Sequence, residues 1–352
     1  MEVDMQKVSL FSQVAAISSG IFLFLAVLLG VSHAADIAYK FEIMDIPLRI
    51  MFLGERRDDI VRLTDIDNKG RMAGNDFAGD GFFVGVRHKA HEIRCPSDQT
   101  DNDSTTASAI NNLGQVVGSC TDGGFIRDRN RNITILNFPG ADGTVALGIN
   151  DLGHVVGQYW GNLFGQGLQR FHGFVWKNGE YTTIDAPFPE AMFTTLSGIN
   201  NAGQIIGTYL HHRPGSPDIN EYDSEVAFVY DNGSFTELDF PGAQIPFCCG
   251  AQTFPMDINN LGQIVGSTYS DEGKLQFFLF DDGTYFRITG LPENVVDAAG
   301  SWGLNDKSHI AGTYIQRVPC DTCGFEGEPG FKSILHSFVA KPTKASKKQL
   351  VN

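Results

Sequence analysis

Positive charge is scarce in this sequence. The chain has 26 Lys and Arg residues against 41 Asp and Glu residues, which leaves a formal net charge of −15 at pH 7. Partners rich in phosphate need a basic surface, so this balance argues against nucleic acid and against anionic lipid as partners. One basic cluster, at Lys341, Lys344, Lys347 and Lys348, lies in the polar stretch 341–352, which we expect to be a solvated tail.

Long apolar runs are also absent, with one exception near the N-terminus. The segment from Val14 to Val31 is almost uniformly apolar, and the small residues that follow it to Ala35 suit a signal peptidase. We interpret residues 1–35 as an export signal, with the mature chain beginning near Ala35 or Asp36. A membrane anchor is the alternative, because about 18 apolar residues can span a bilayer. The protein is thus expected to be secreted or periplasmic, or anchored to a membrane if the segment is uncleaved.

The sequence lacks four common catalytic and cofactor-binding motifs. The chain has no Gly-x-Ser-x-Gly elbow, no His-Glu-x-x-His pair, no P-loop and no dinucleotide-binding fingerprint. These absences remove any specific mechanism. They leave open an enzyme whose site is assembled from scattered loop residues.

One ten-residue phrase recurs six times, with the consensus Gly-Ile-Asn-Asn-x-Gly-Gln-Ile-Val-Gly. Its final glycines are Gly74, Gly118, Gly157, Gly207, Gly266 and Gly312. A second phrase, such as Phe174-Val-Trp, and a third that ends in proline recur with it. No segment shows a sustained 3.6-residue apolar period, and each phrase is β-branched or aromatic between turn residues. The repeat unit is therefore all β, with four strands that we name a, b, c and d in chain order.

Four strands repeated radially are typical of a β-propeller, here with six blades over residues 36–340. The chain opens with a strand a at Phe41 and ends with a strand d at Phe338. The first and last segments must then close one blade together. Because the strands alternate in direction, the short b–c and d–a turns share one face, and the long a–b and c–d loops share the other. We call these the plain face and the elaborated face.

The consensus phrase and the neighbouring His172-Gly-Phe-Val-Trp176 and His336-Ser-Phe-Val339 resemble the HAF-repeat family of probable extracellular bacterial proteins. The resemblance covers nearly all of residues 39–340. It implies export and a repeat fold, and it supplies no catalytic residue. Ser308 departs from the pattern by replacing the turn glycine in the last unit.

Candidate binding residues fall in the elaborated loops, where function usually resides on a rigid scaffold. His211, His212, Arg213 and Tyr222 share one variable loop, and Trp160 and Trp302 are aromatic residues on the same face, either exposed for stacking or buried against the loops. We predict a non-catalytic binding module for a carbohydrate, a cell-surface component or a protein. The alternative is a polysaccharide hydrolase or lyase that uses Asp218, Glu221, His211 and His212.

The sequence also contains candidate ligands for a metal ion, but turn stabilisation explains the same residues more simply. Asp65, Asp67 and Asn68 precede Gly70 and offer oxygens of the kind that Ca²⁺ prefers. Asp and Asn also stabilise turns by bonding to their own backbone, and they recur in every copy. We expect a structural role and no cofactor, with calcium as the alternative.

All six cysteines are placed on the elaborated face, and an even count in an exported protein predicts disulfides. Cys320 with Cys323 is the expected local bond. Cys95 with Cys120 would need loops to bend inward, because strands two apart in a sheet are about 10 Å apart. A zinc site from Cys248, Cys249, Cys320 and Cys323 is the remaining alternative.

Overall fold

The computed structural model divides into two compact units, Met1–His33 and Ala34–Asn352. The structure describes residues 34–52, 55–76, 78–97, 105–161, 170–188, 191–212, 222–241, 253–270, 274–298, 300, 302–320 and 330–350. Everything below concerns these residues, all of which belong to the second unit.

The second unit is a six-bladed β-propeller, as the repeats predict. Each blade is an antiparallel sheet in the order b-c-d-a. Blade 1 has β4 (Arg62–Ile66), β5 (Met72–Asn75), β6 (Gly81–Val84) and β7 (Ala90–Glu92). Blade 2 has β8 (Thr106–Ile110), β9 (Val116–Cys120), β10 (Gly123–Arg127) and β11 (Ile133–Leu136). Blade 3 has β12 (Gly143–Ile149), β13 (Val155–Gly161), β14 (Arg170–Lys177) and β15 (Glu180–Thr183).

The remaining blades follow the same plan. Blade 4 has β16 (Ala191–Ile199), β17 (Ile205–His212), β18 (Tyr222–Asp231) and β19 (Ser234–Leu238). Blade 5 has β20 (Thr253–Ile258), β21 (Ile264–Tyr269), β22 (Leu275–Asp281) and β23 (Thr284–Thr289). Blade 6 has an interrupted inner strand, β24 (Val295–Ala298) and β25 (Gly303–Leu304), followed by β26 (Ile310–Cys320) and β27 (Gly330–Pro342).

The N-terminal strand β1 (Ala35–Ile43) closes the ring, which confirms the prediction that the two ends share a blade. It is the outer strand of blade 6, where Phe41 pairs with Ala340 and Ile43 with Phe338. Its first residues also pair in parallel with blade 5, from Ala35 opposite Phe286. The N-terminal strand therefore links the last two blades.

Steric demand at the inner strand explains the glycine that ends each repeat phrase. In blades 1 to 5 strand b contains a register shift opposite that glycine, as at Ala146/Gly148 in blade 3. The shift brings a strand b carbonyl so close that a Cβ on Gly157 would lie 1.9 Å from the oxygen of Val145 and 3.0 Å from the ring of Phe174. Phe174 is fully buried. The glycine and the phenylalanine of strand d are thus one packing unit, repeated around the core.

The turns of the plain face adopt the predicted left-handed conformations. The b–c turn glycines have φ between 76° and 88°, and Ser308, which replaces glycine in blade 6, keeps φ at 55°. Asn178 with Gly179 and Asn232 with Gly233 both have positive φ, the geometry of a two-residue type I′ hairpin. The short turns are therefore fixed by local backbone chemistry.

Two features differ from the sequence-based expectation. A hairpin of β2 (Pro47–Phe52) and β3 (Glu55–Ile60) follows β1 and lies outside the six sheets. The C-terminal stretch, expected to be a solvated tail, forms helix α1 (Lys344–Gln349), and its buried Ser346 hydroxyl donates to the Ala38 carbonyl at 2.7 Å. Within the described residues, no helix has the length and apolarity needed to cross a membrane.

Candidate functional site

A closed ring of hydrogen bonds surrounds the propeller axis on the plain face. In each b–c turn one backbone N–H donates to the side-chain Oδ1 of the equivalent residue in the next blade, at 2.7 to 2.9 Å. The ring members are Asn68, Asn112, Asp151, Asn201, Asn260 and Asp306. The two aspartates sit on opposite blades and accept the side-chain amides of their asparagine neighbours. The ring is thus satisfied by protein donors alone.

A second ring lies one residue earlier in each turn. The Asn Nδ2 groups of blades 2 to 6 donate to the backbone carbonyl of the next blade at 2.9 to 3.2 Å. Blade 1 has Asp67 at this place, which has no N–H to give. Its carboxylate pairs with Arg71, and Arg71 Nη2 donates to the Asn112 carbonyl at 2.9 Å. An arginine therefore supplies the contact between blades 1 and 2 that the aspartate cannot.

Two buried carboxyl groups lie behind these rings. Asp65 accepts the backbone N–H groups of Ile66 and Ile110, and Asp257 accepts those of Ile258 and Leu304. Burial raises the pKa of Asp257 to about 7, and burial together with the charge of Asp257 raises the pKa of Asp65 well above its usual value. Both shifts have the same direction and favour the protonated form of each buried carboxyl.

The axial cavity between these groups has a volume of about 50 Å³. That space holds a few waters but no sugar ring, since ligand pockets usually exceed about 300 Å³. No histidine lines it, and its carboxyls are engaged with backbone N–H groups. Among the described residues, no cluster of three or more His, Cys, Asp or Glu side chains is arranged to hold a metal ion. Within its own turn, Asp67 Oδ1 accepts the backbone N–H groups of Lys69 and Arg71, which is the turn bonding expected of these side chains.

On the elaborated face an aromatic cluster lies between blades 3 and 4. Trp160 is 5.6 Å from Phe171, and Phe171 is 5.8 Å from Phe193, measured between ring centroids. All three rings are half-buried. Gly143 makes room for the indole, because a Cβ there would lie 2.2 Å from Trp160. We call Trp160, Phe171 and Phe193 the aromatic cluster.

Phe193 has a backbone conformation that phenylalanine rarely adopts. Its φ is +52°, and it sits in the register shift between Met192 and Thr195. A bulky residue at positive φ is strained, and such strain concentrates at functional sites. Below the cluster, Thr195 donates to Gln158 at 2.7 Å and so links the same two blades. The cluster is therefore a half-buried aromatic group on a hydrogen-bonded seam between blades 3 and 4.

The predicted binding residues divide into three groups. Trp160 belongs to the aromatic cluster. The backbones of His211, His212 and Tyr222 lie at the elaborated end of blade 4, with His211 opposite Ala191 and His212 opposite Tyr222. Arg213 lies outside the described residues, as do Asp218 and Glu221 of the enzyme alternative. The register thus places the described residues of this loop at the end of the blade that carries Phe193.

Trp302 is buried, the second of the two outcomes that the sequence left open. Its side chain is 0% exposed, stacks on Phe277 at 3.6 Å and donates Nε1–H to the Thr313 carbonyl at 3.1 Å. It fills the space above Gly312, where a phenylalanine of strand d contacts the equivalent glycine in blades 2 to 5. Trp302 is therefore part of the core of blade 6 and contributes no ligand contact.

Two repeat histidines form matched pairs with aspartates. His172 Nδ1 lies 2.7 Å from Asp185 Oδ2, and His336 Nδ1 lies 2.8 Å from Asp45 Oδ2. In both pairs the other carboxylate oxygen accepts the next backbone N–H of strand d. Each aspartate therefore links the imidazole to the backbone of strand d, which is a structural role for these two repeat histidines.

A disulfide joins Cys95 to Cys120, with the two Cα atoms 6.4 Å apart. The sequence treated these residues as parts of one sheet, which would hold them too far apart. In the fold, strand a belongs to the preceding blade, so Cys95 follows β7 of blade 1 and Cys120 ends β9 of blade 2. The bond therefore connects neighbouring blades without any bend. Cys248, Cys249 and Cys323 lie outside the described residues.

Sequence reasoning did not find Phe171, Phe193 or the Asp65–Asp257 pair. Phe171 precedes a repeat histidine and Phe193 lies in an insertion, so only their position on one face could have indicated them. Asp65 and Asp257 replace the Gly or Ala that opens the phrase in the other units. That departure was a usable signal for a buried charge.

Comparison with known proteins adds no family. No protein-family model matches, and no curated protein matches the sequence. Among solved structures, TolB from Acinetobacter baumannii is 12% identical with a TM-score of 0.44 over 81% of this chain, and this chain covers 63% of that one. The six-bladed fucose-binding lectin of Aleuria aurantia is 13% identical with a TM-score of 0.39, over 86% of this chain and 96% of that chain. A Xanthomonas campestris gluconolactonase is 10% identical with a TM-score of 0.43, over 89% and 99%. With TM-scores below 0.5, these likenesses carry no argument about the fold or the activity of this chain.

Proposed function

We propose that this protein is an exported, non-catalytic binding module of the HAF-repeat type that engages a carbohydrate through its elaborated face. The observation that carries the proposal is the aromatic cluster, three half-buried rings on an interblade seam with one held at positive φ. Aromatic rings with one face packed and one face wet suit the apolar faces of sugars. The axial cavity, by contrast, is too small for a sugar.

The site has no acid–base machinery among its described members. Trp160, Phe171 and Phe193 offer stacking surfaces, and the polar groups beneath them are the neutral Gln158 and Thr195. Such a patch holds a ligand without supplying a proton donor or a nucleophile. The proposal is therefore binding rather than turnover.

A glycan array probed with the full-length chain, followed by calorimetry on the glycans that bind, tests this proposal. We expect Trp160→Ala and Phe193→Ala to weaken the affinity at least tenfold. Trp176→Ala is the matched control, because Trp176 is also a half-buried tryptophan of blade 3 but lies beside the plain-face turn. Unchanged affinity in Trp160→Ala, or no glycan bound across the array, overturns the proposal.

A polysaccharide hydrolase or lyase is the second candidate, and the His172–Asp185 pair favours it. An imidazole whose Nδ1 contacts a carboxylate has its Nε2 oriented for proton transfer. The test is release of reducing ends or unsaturated sugars from a polysaccharide panel. Loss of that release in His172→Ala, with retention in His336→Ala, would favour this enzyme over the binding module.

A further inference from the structure

The plain face carries a feature that its hydrogen-bonded rings do not explain. Leu113, Leu152 and Leu261 are 49%, 61% and 62% exposed, and all three occupy the same position of the b–c turn. Ala202 holds that position in blade 4, and Lys307 and Lys69 hold it in blades 6 and 1. An arc of apolar tips therefore runs around the axis across blades 2 to 5 and is completed by two lysines. We call Leu113, Leu152 and Leu261 the leucine arc.

These leucines have no local reason to be apolar. The position points to solvent in every blade, and lysine and alanine serve the same turn equally well. A repeated exposed leucine indicates a surface that leaves water when a partner arrives. The question is what covers it.

Charge on this face runs against that of the whole molecule. Although the chain is acidic, the exposed ionisable groups on the plain-face turns and helix of blades 6, 1 and 2 are basic. They are Lys69, Arg87, Lys89, Arg129, Arg131, Lys307, Lys344, Lys347 and Lys348. Acidic turn residues lie mainly in blades 3 to 5, at Glu180, Asp231, Asp281 and Asp282, and blade 2 has Asp128 between Arg127 and Arg129. We call these nine lysines and arginines the basic sector. It lies beside the leucine arc, although the net charge of the chain is −15.

The N-terminal end of the propeller emerges on the same face. Strand β1 runs from the plain face to the elaborated face, because Ala35 pairs with Phe286, just after the plain-face turn of blade 5. The described part of the propeller therefore begins on the plain face.

We propose that the plain face docks on a membrane surface of anionic phospholipid, with the leucine arc at the acyl boundary and the basic sector over the headgroups. Exposed leucines combined with lysine and arginine are the composition of interfacial binding surfaces. This docking points the elaborated face away from the membrane. It does not rest on glycan binding.

Surface labelling of lysines in the full-length chain tests the docking. The chain is mixed with vesicles of phosphatidylcholine, with or without about 30% phosphatidylglycerol, and treated with a membrane-impermeant amine reagent before mass spectrometry. On anionic vesicles we expect labelling of Lys69, Lys307 and Lys344 to fall at least fivefold. Lys274 and Lys332, exposed on the elaborated face, should label at an unchanged rate. This internal comparison works whether or not the apolar segment is cleaved.

Two triple variants distinguish docking through the plain face from non-specific hydrophobic adsorption to vesicles. Leu113→Ser/Leu152→Ser/Leu261→Ser should restore labelling of the plain-face lysines. The matched control, Tyr269→Ser/Val296→Ser/Phe331→Ser, removes three apolar residues of similar exposure from the elaborated face and should leave the protection intact. Equal labelling of all lysines on vesicles overturns the proposal. Protection that appears without vesicles and grows with protein concentration also overturns it, in favour of a second copy as the occupant.

Discussion

The two faces of this propeller differ in how much they vary from one blade to the next. On the plain face each b–c turn must meet its neighbours around the axis, and the same Asn or Asp chemistry recurs in each blade. On the elaborated face the blades differ in loop length and in aromatic content, and the Cys95–Cys120 disulfide joins blades 1 and 2 there. Uniformity marks the places where blades must fit together, and variation marks the places where they are free to acquire a ligand.

Among the links between blades, the largest expected loss of stability is on the elaborated face, from removal of the disulfide. Cys95→Ala/Cys120→Ala opens a link that spans 25 residues and joins blades 1 and 2. We expect the free energy of unfolding to fall by about 3 kcal/mol, measured by chemical denaturation. A matching drop should follow when wild-type protein is unfolded under reducing conditions. Equal stability of the two forms would show that the rings of the plain face hold the blades without it.

The next largest effect is expected on the plain face. Asn259→Ala removes the interblade bond to Asn305 and the acceptor for the backbone N–H groups of Leu261 and Gln263. Unsatisfied buried groups make the expected loss about 2 kcal/mol. Asn132→Ala is the control, because Asn132 is exposed and bonds only within its own turn. If the two variants unfold alike, the ring adds nothing to stability.

The buried carboxyl pair predicts a pH effect confined to the axis. Because the native pKa of Asp257 is raised to about 7, the native state holds a proton that the unfolded state releases above about pH 4. The pair's contribution is complete below pH 4 and is lost as pH rises to 7. Asp257→Asn should therefore flatten the fall of Tm with pH over this window.

That comparison must be made as a difference between proteins. Burial lowers the pKa of His309 to about 4, and this histidine gives an opposite slope, since its contribution is lost as pH falls below 6.5. Wild type and Asp257→Asn share the histidine, so their difference isolates the carboxyl pair. Asp282→Asn, at an exposed turn, should leave the wild-type curve unchanged. Parallel curves for wild type and Asp257→Asn would mean that the pair titrates as free carboxyls do.

The smallest change in stability is expected at Phe193, a half-buried ring of the aromatic cluster, and we compare it with the fully buried ring of Phe174. Phe193→Asn relieves positive φ at a half-buried site, because asparagine tolerates that conformation. We expect stability to stay within about 1 kcal/mol of wild type. Phe174→Ala, at a fully buried ring, should cost about 4 kcal/mol. A comparable loss in Phe193→Asn would show that the aromatic cluster is packing rather than a binding edge.

The sequence predicted those features that depend on the backbone preferences of individual residues. Glycine, asparagine and the type I′ turns carry their own backbone preference, so the positive φ values at Gly153 and Asn178 follow from residue type. Ser308 shows the limit of this reasoning, because a serine at the glycine position of the turn also has positive φ, at 55°. The alternation of strand directions was enough to divide the loops between two faces.

Local sequence patterns did not predict the contacts between blades. The Cys95–Cys120 bond was judged unfavourable because both residues were assigned to one unit, whereas sheet membership is shifted by one strand. Trp160 and Trp302 are the same residue type on the same face, yet one is half-buried beside Phe171 and the other is fully buried over Gly312. Their difference depends on which residue the neighbouring strand presents.

The sequence by itself determined the number of blades, the division of short and long loops between two faces, the turn geometry and the closure of the ring by its two ends, because each of these depends on short-range backbone preference repeated six times. Only the tertiary structure decided which strand is innermost, the ring of bonds at the axis, the raised pKa values of Asp65 and Asp257, the burial of Trp302 and the gathering of basic residues and leucines on one face. These features join residues that lie far apart in the chain, and their free energies depend on distance and burial, which no local pattern specifies.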